Sequence, residues 1–123
     1  MQFNEFTKKS TPADELIALC VASSGFFHGF HFITKSYSQH KAYDHFYEEM
    51  PEVIDTFAEM YLGDNRTYAP PKSVPVYTDP KVLLTDIESL IDKVRVTASP
   101  AEQSCLDDIT TLCRQTRYML TLQ

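Results

Sequence analysis

The 123-residue sequence has no tryptophan, only three glycines, and no run in which apolar and polar residues alternate strictly. These absences argue against a sheet protein, because half-buried strands show an alternating pattern and tight turns favour glycine. No stretch of about 18 apolar residues is present, nor a basic and then apolar amino terminus, so we expect neither a membrane span nor a secretory signal. The sequence therefore predicts an all-α protein, which we expect to be cytoplasmic.

Positive charge and reactive motifs are also scarce. The net charge is −6, which argues against binding nucleic acid through a basic patch. Cys20, Cys105 and Cys113 are odd in number, lack metal-ligand spacing and fall on apolar helix faces, so we expect them in the core. There is no Gly-x-Ser-x-Gly motif and no glycine-rich phosphate loop. Hydrolases and nucleotide-binding enzymes of these kinds are therefore excluded.

The most informative stretch is the predicted helix over His40 to Leu62. Helical spacing places one apolar stripe on it, formed by Tyr43, Tyr47, Met50, Ile54, Phe57 and Tyr61. A second stripe carries imidazole and carboxylate groups, and its members are His40, Asp44, Glu48, Asp55 and Glu59. This acidic stripe borders the apolar one, so a partner surface can close over it. Pro51 interrupts the backbone hydrogen bonds of this helix, where we expect a kink or local irregularity.

Proline after a capping residue marks the other helix starts, at Thr11-Pro12, Asp79-Pro80 and Ser99-Pro100. The first helix is expected to run to about Ile33. Gly25 and Gly29 share one face of it, which suggests the close approach of another backbone, with a frayed helix end as the alternative.

A proline-rich stretch, residues 63–79, separates the second and third predicted helices. Its extended length of about 50 Å exceeds the roughly 35 Å of the second helix, so it can cross the whole bundle. Two hairpins joined by a long crossover form the ferritin-like version of the four-helix bundle. We therefore expect residues 1–123 to form a single ferritin-like domain, with residues 1–10 as an amino-terminal arm anchored by Phe3 and Phe6.

Imidazole and carboxylate side chains on the acidic stripe suit iron, manganese or zinc. A di-iron bundle completes its site within one chain by Glu-x-x-His pairs, and this sequence has no such pair. A second copy of the same helix is the obvious source of further ligands. The alternative is an acidic stripe that forms only a solvated or salt-bridged surface.

The spacing of His40, Asp44, Asp55 and Glu59, in steps of four, eleven and four, resembles the ligand pattern of the Dps-type mini-ferritins that protect DNA in starved bacteria. The close of the last helix, Tyr118-Met119-Leu120, is similar to that family as well. The whole chain also resembles small ferritin-like proteins of unknown function from tailed bacteriophages.

The resemblance implies a metal site between two subunits, in which iron is oxidised by peroxide or oxygen and stored. It implies His31, His40 and Asp44 from one subunit with Asp55 and Glu59 from the other. His28 fits the family spacing without a gap, so His28 and His31 both remain candidates.

Two functions follow from the sequence. The first is an iron-binding homodimer or larger homo-oligomer, a possible ferroxidase. The second is a non-catalytic helical bundle that acts through its surfaces, as a component of a phage virion or of the interaction with the host.

Overall fold

A computed structural model describes residues 9–122, and within this range the chain forms four helices and no strand. They are α1 (Pro12–Ile33), α2 (Tyr37–Leu62), α3 (Pro80–Arg95) and α4 (Pro100–Met119). The predicted all-α class is confirmed. The expected arm falls largely on residues 1–8, including Phe3 and Phe6, which lie outside the described residues.

Local capping chemistry sets the helix starts. The Thr11 and Ser99 side chains each accept a hydrogen bond from the backbone N–H three residues later in the chain. The side chains of Asp14 and Glu102 accept in turn from the backbone N–H of Thr11 and Ser99, which completes two capping boxes. A proline follows each of these two capping residues, at the first helical position, where the backbone N–H that proline lacks would have no partner within the helix. Ser36 accepts from the Gln39 backbone in the same way, so α2 begins at Tyr37, three residues before the predicted start.

The crossover over residues 63–79 carries the chain from one end of the bundle to the other. Its start lies beside the start of α1, where the Ala69 N–H donates to Asp14 Oδ1 at 3.3 Å. Its end lies beside the last part of α1, where the Tyr77 ring packs edge-on against Phe26. α3 therefore runs parallel to α2, and each helix has two antiparallel neighbours in the order α1, α2, α4, α3 around the bundle. The arrangement is compatible with a four-helix bundle.

One apolar cluster fills the space between the four helices. Most of the apolar stripe predicted for α2 is buried, and the exception is Tyr47, which is half-buried and packs against the edge of the core. All three cysteines are buried and unpaired, as the sequence predicted. The largest fully buried side chains include those of Phe27, Phe46, Phe57, Met50 and Leu106.

Three local features of α1 and α2 bear on the sequence interpretation. A Cβ atom at Gly25 or Gly29 would meet nothing within 4 Å, so the predicted close approach is wrong for contacts within this chain. The fraying alternative is also wrong, because α1 continues to Ile33. α2 is continuous through Pro51.

Among the described residues, α1 is the one helix that is long and apolar enough to cross a membrane by length and composition. Seven of its apolar residues are buried within the bundle, so α1 packs as a core helix, and core helices of globular proteins can pass the same test.

Candidate metal centre

The turn between α1 and α2 brings three of the predicted site residues together. His31 lies in the last turn of α1, and His40 and Asp44 lie near the start of α2. Residues four apart share one face of a helix, so His40 and Asp44 point to the same side. Within the turn, the Thr34 hydroxyl donates to Gln39 Oε1 at 2.6 Å. This short, hydrogen-bonded turn places His31 beside the start of α2.

His31 contacts both the ring of His40 and the carboxylate of Asp44. The two imidazole centroids lie 3.8 Å apart, with the ring planes tilted by 32°. His31 Nε2 lies 3.9 Å from Asp44 Oδ1, and the His31 and Asp44 side chains are 13% and 26% exposed. One chain thus supplies two imidazoles and one carboxylate in a half-buried group.

The ring nitrogens of the two histidines have different surroundings. His40 Nδ1 lies 3.3 Å from the backbone oxygen of His31. A carbonyl oxygen only accepts, so Nδ1 donates, and in a neutral imidazole this leaves the lone pair on Nε2, the arrangement common for histidines that bind metals. His31 Nδ1 is buried without a hydrogen-bond partner, which is uncommon for a polar atom. Each ring therefore has one nitrogen to which the structure assigns no hydrogen bond, and that of His31 is shielded from solvent.

Asp44 is held in its charged form. The Tyr47 hydroxyl donates to the Asp44 carboxylate, and this hydrogen bond lowers the pKa of Asp44, while burial acts in the opposite direction and His31 assists. The same bond raises the pKa of Tyr47 to about 12. At neutral pH Asp44 is therefore an ionised carboxylate, and Tyr47 is a neutral donor.

His28 lies at the edge of this group. Its ring stacks on Tyr47 with centroids 4.2 Å apart and planes 8° from parallel, and it stacks on Phe32 at 5.0 Å. Its centroid is 5.8 Å from that of His31. Of the two histidines that the sequence left open, His31 is the one placed against His40 and Asp44.

Asp55 and Glu59 lie elsewhere on α2. Eleven residues separate Asp44 from Asp55, which is about 17 Å along a helix. Both side chains are exposed, and within residues 9–122 neither takes part in an ion pair with lysine or arginine. The five predicted ligands therefore do not converge within one chain.

The packing of the two histidines also limits what one chain does alone. Their rings lie against each other with the centroids 3.8 Å apart and the planes tilted by 32°. Over the part of the chain that the structure describes, no group of three or more His, Cys, Asp or Glu side chains is arranged to hold a metal ion. The residue types fit iron, manganese or zinc, but a complete site needs a rotation of one imidazole and ligands from another molecule.

Two features of this end of the bundle were not identified from the sequence. Tyr47 was assigned to the core stripe, although its position one helical turn after Asp44 is a signal for a hydrogen bond between them. The second feature is an apolar end surface, formed where α1 and α4 end and where α2 and α3 begin. Its exposed side chains are Phe32, Ile33, Tyr37, Val76, Val82, Tyr118 and Leu122.

Comparison with known proteins identifies a relative from a bacteriophage. The chain is 39% identical to an uncharacterized 14.6 kDa protein from the mobD-ri intergenic region of Enterobacteria phage T4, over the full length of both proteins. No solved structure matches the chain. Residues 31–120 match a family of unknown function, DUF5856, and this match covers more than two thirds of the sequence. The protein is therefore a phage-related, all-α member of the DUF5856 family.

Proposed function

We propose that this protein is a ferritin-like bundle that binds iron between two copies of the chain. His31, His40 and Asp44 of one copy would bind the metal together with Asp55 and Glu59 of the other. The observation that carries the proposal is the group formed by His31, His40 and Asp44, in which each imidazole has a ring nitrogen without a hydrogen bond. Bound ferrous iron would then be oxidised by peroxide or oxygen.

The connectivity of the helices supports a ferritin-like relationship. A crossover of 17 residues joins α2 to α3 along the full bundle, and the two helices run parallel on opposite corners. Ferritin-like bundles have one such long crossover, whereas simple up-down bundles have only short loops.

The positions along α2 support a symmetric pair of chains. The midpoint between His40 and Glu59 is also the midpoint between Asp44 and Asp55, between residues 49 and 50. A two-fold axis at this point would pair α2 with an antiparallel copy. Each His40 would then lie opposite Glu59 of the second copy, and each Asp44 opposite its Asp55. Such self-complementary interfaces are the commonest kind in homo-oligomers.

The charges of this pairing call for a cation. Lys41 and Asp44 balance each other at the start of α2, whereas Asp55 and Glu59 present uncompensated negative charge further along the helix. The antiparallel pair would therefore bring together more negative than positive charge, and a cation bound among the three carboxylates would offset the excess.

Anaerobic titration with ferrous iron, followed by addition of oxygen or peroxide, tests the proposal. Absorbance reports oxidation, and light scattering reports the molar mass in solution. We expect saturable binding of about one or two irons per interface, the range of mononuclear and two-metal sites. Asp55→Ala with Glu59→Ala should abolish binding and leave the helix content unchanged.

A matched control uses the outer face of the same helix. Glu49→Ala with Glu52→Ala also removes two exposed carboxylates from α2, and we expect it to bind iron like the parent protein. Iron binding by the Asp55 and Glu59 double variant at the parental level would refute the proposed site.

A second function, a non-catalytic interaction protein, is favoured by the apolar end surface. Phe32, Ile33 and Tyr37 are 71%, 74% and 77% exposed on one turn of chain. Large exposed apolar patches on monomers commonly mark protein interaction sites. In this function the bundle is a virion component or contacts a host protein in the infected cell.

The same measurements separate the two functions. A protein that forms a stable oligomer, binds no iron, and loses mass on Phe32→Ser with Tyr37→Ser would support the interaction function. Iron binding that is unaffected by this pair of substitutions would support the metal site.

A further inference from the structure

A groove on the side of the bundle lies between α1, the crossover and α3, and its volume is about 320 Å³. Its walls are mostly apolar and include Leu19, Val74, Tyr77 and Leu90, each of which also packs in or against the core. A cavity of roughly 150 Å³ in a protein interior is enough to bind one benzene molecule. The groove is therefore large enough to hold two phenyl rings.

The amino-terminal segment, residues 1–9, is attached beside this groove. The Ser10 hydroxyl donates to the Ala69 carbonyl oxygen at 2.6 Å, and the Ala69 N–H donates to Asp14 Oδ1 at 3.3 Å. These two hydrogen bonds hold the chain just before α1 against the crossover. Pro71 lines the groove and lies two residues after Ala69, so the two are at most about 7 Å apart. The segment therefore begins next to the groove.

The reach of the segment also fits the groove. Phe6 and Phe3 precede Ser10 by four and seven residues, which an extended chain spans in at most about 14 Å and 25 Å. The groove extends for about 10 Å along α3, from Asp86 to Lys93. The far end of α1, with its exposed apolar side chains, lies roughly 30 Å from the start of that helix. Within one chain, both rings therefore reach the groove, whereas the end of α1 is beyond them.

The charges of the segment and the groove are complementary. The groove is lined by the carboxylates of Glu15 and Asp86 and by the ammonium group of Lys93. Asp86 also accepts a hydrogen bond from the Tyr77 hydroxyl at 2.5 Å, which fixes this carboxylate between α3 and the crossover. Residues 1–9 include two lysines and one glutamate. A segment with net positive charge is attracted to a groove with net negative charge.

We propose that residues 1–9 dock in this groove of their own chain, with the rings of Phe3 and Phe6 against its apolar walls. Docking covers apolar side chains that the four helices leave half-buried. The attachment at Ser10 gives the segment a high effective concentration at the groove, so a modest intrinsic affinity is sufficient. None of the lining residues is a predicted metal ligand, so this inference is independent of the proposed function.

Thermal unfolding of full-length variants tests the contribution of the two rings. Phe3→Ser with Phe6→Ser should lower Tm by about 5–10 °C, because the rings no longer bury apolar surface in the groove. Gln2→Ser with Asn4→Ser is the matched control. It changes the same segment without removing a ring, so its Tm should equal that of the parent protein.

Disulfide formation tests where the segment lies. Asn4→Cys is placed between the two phenylalanines, and Ser89→Cys is placed in the groove. Ser104→Cys is the matched control, because Ser104 is likewise an exposed serine on a helix, near the start of α4. The native cysteines are buried, so mild oxidation acts on the introduced thiols. A disulfide needs Cα atoms within about 7 Å, and we expect positions 4 and 89 to be joined within a monomer and positions 4 and 104 to stay reduced.

Three outcomes would overturn the inference. The first is a parental Tm in the variant that lacks both rings. The second is equal disulfide formation from position 4 to positions 89 and 104, because the segment would then have no preferred position. The third is a disulfide between positions 4 and 89 that joins two chains on a non-reducing gel, which would assign the groove to the segment of a second copy.

Discussion

Replacing Arg66 by methionine tests how the end of α2 is joined to the start of α4. Arg66 Nη1 donates to Glu102 Oε2 at 2.6 Å, and the Glu102 residue is only 3% exposed. The guanidinium also lies 4.3 Å from the centroid of the Tyr61 ring. Glu102 Oε1 keeps a second bond from the Ser99 backbone at 2.9 Å. Methionine keeps much of the apolar length of arginine and removes its charge.

The expected loss of stability follows from the burial of Glu102. Removing one partner of a buried ion pair costs about 3–5 kcal/mol. Arg66 is about one third exposed and Ser99 still donates to Glu102, so the lower end of that range applies, roughly 3 kcal/mol. At about 4 °C per kcal/mol for a domain of this size, Tm should fall by roughly 12 °C. Urea unfolding followed by far-UV circular dichroism measures the free energy of unfolding.

The loss of stability caused by Arg66→Met should be larger at neutral pH than at acid pH. Burial raises the pKa of Glu102, but hydrogen bonds from the Ser99 backbone and the Arg66 guanidinium lower it by more, so the pKa in the folded protein lies below that of a free glutamate side chain. A lowered carboxyl pKa stabilises the folded state above the unfolded pKa, and this stabilisation is lost as pH falls through the folded pKa. The difference between Arg66→Met and the parent should therefore be full near pH 7 and smaller near pH 3.

The double variant Arg66→Met with Glu102→Gln is the control. It leaves no buried charge unpaired, and the amide oxygen still accepts from Ser99, so it should recover much of the lost stability. An Arg66→Met protein within about 0.5 kcal/mol of the parent, or a difference that does not change with pH, would refute the reasoning.

Three further predictions concern the core, α2 and the choice of histidine. Phe27→Ala should lower the free energy of unfolding by about 3–5 kcal/mol, because Phe27 is fully buried and stacks on Phe46 at 3.9 Å; a loss below about 1 kcal/mol in urea unfolding would contradict this packing. Pro51→Ala should raise the free energy of unfolding by about 1–3 kcal/mol, because it restores a helical donor at an exposed position; unchanged stability by the same assay would count against it. The His28→Phe variant should keep the stacking on Tyr47 and Phe32 and still bind iron, whereas His31→Phe should lose iron binding. A ferrous iron titration in which His28→Phe loses binding and His31→Phe retains it would make His28 the ligand.

Much of the secondary structure was predictable because its causes are local. The Thr11, Asp79 and Ser99 caps act within three residues of themselves, and each precedes a proline at the first helical position. Helical periodicity identified most of the buried face of α2. The start of α2 at Tyr37 was missed, because the first turn of this helix carries few apolar residues.

The candidate site was predictable only in part. Spacing along one helix placed His40 and Asp44 on a common face, which is a property of the sequence alone. The choice between His28 and His31 depends on the path of the turn between two helices. Tyr47 was assigned to the core because periodicity reports the direction of a side chain and not what its hydroxyl contacts.

The sequence by itself determined the number of helices, most of their boundaries and most of the buried face of α2, because caps, prolines and apolar period act over a few residues. Only the tertiary structure decided which helices are neighbours around the bundle and the meeting of His31 with His40 and Asp44. The collection of apolar side chains at one end was likewise decided there. These features depend on contacts between residues far apart in sequence, and such contacts form only when all four helices pack around a shared core.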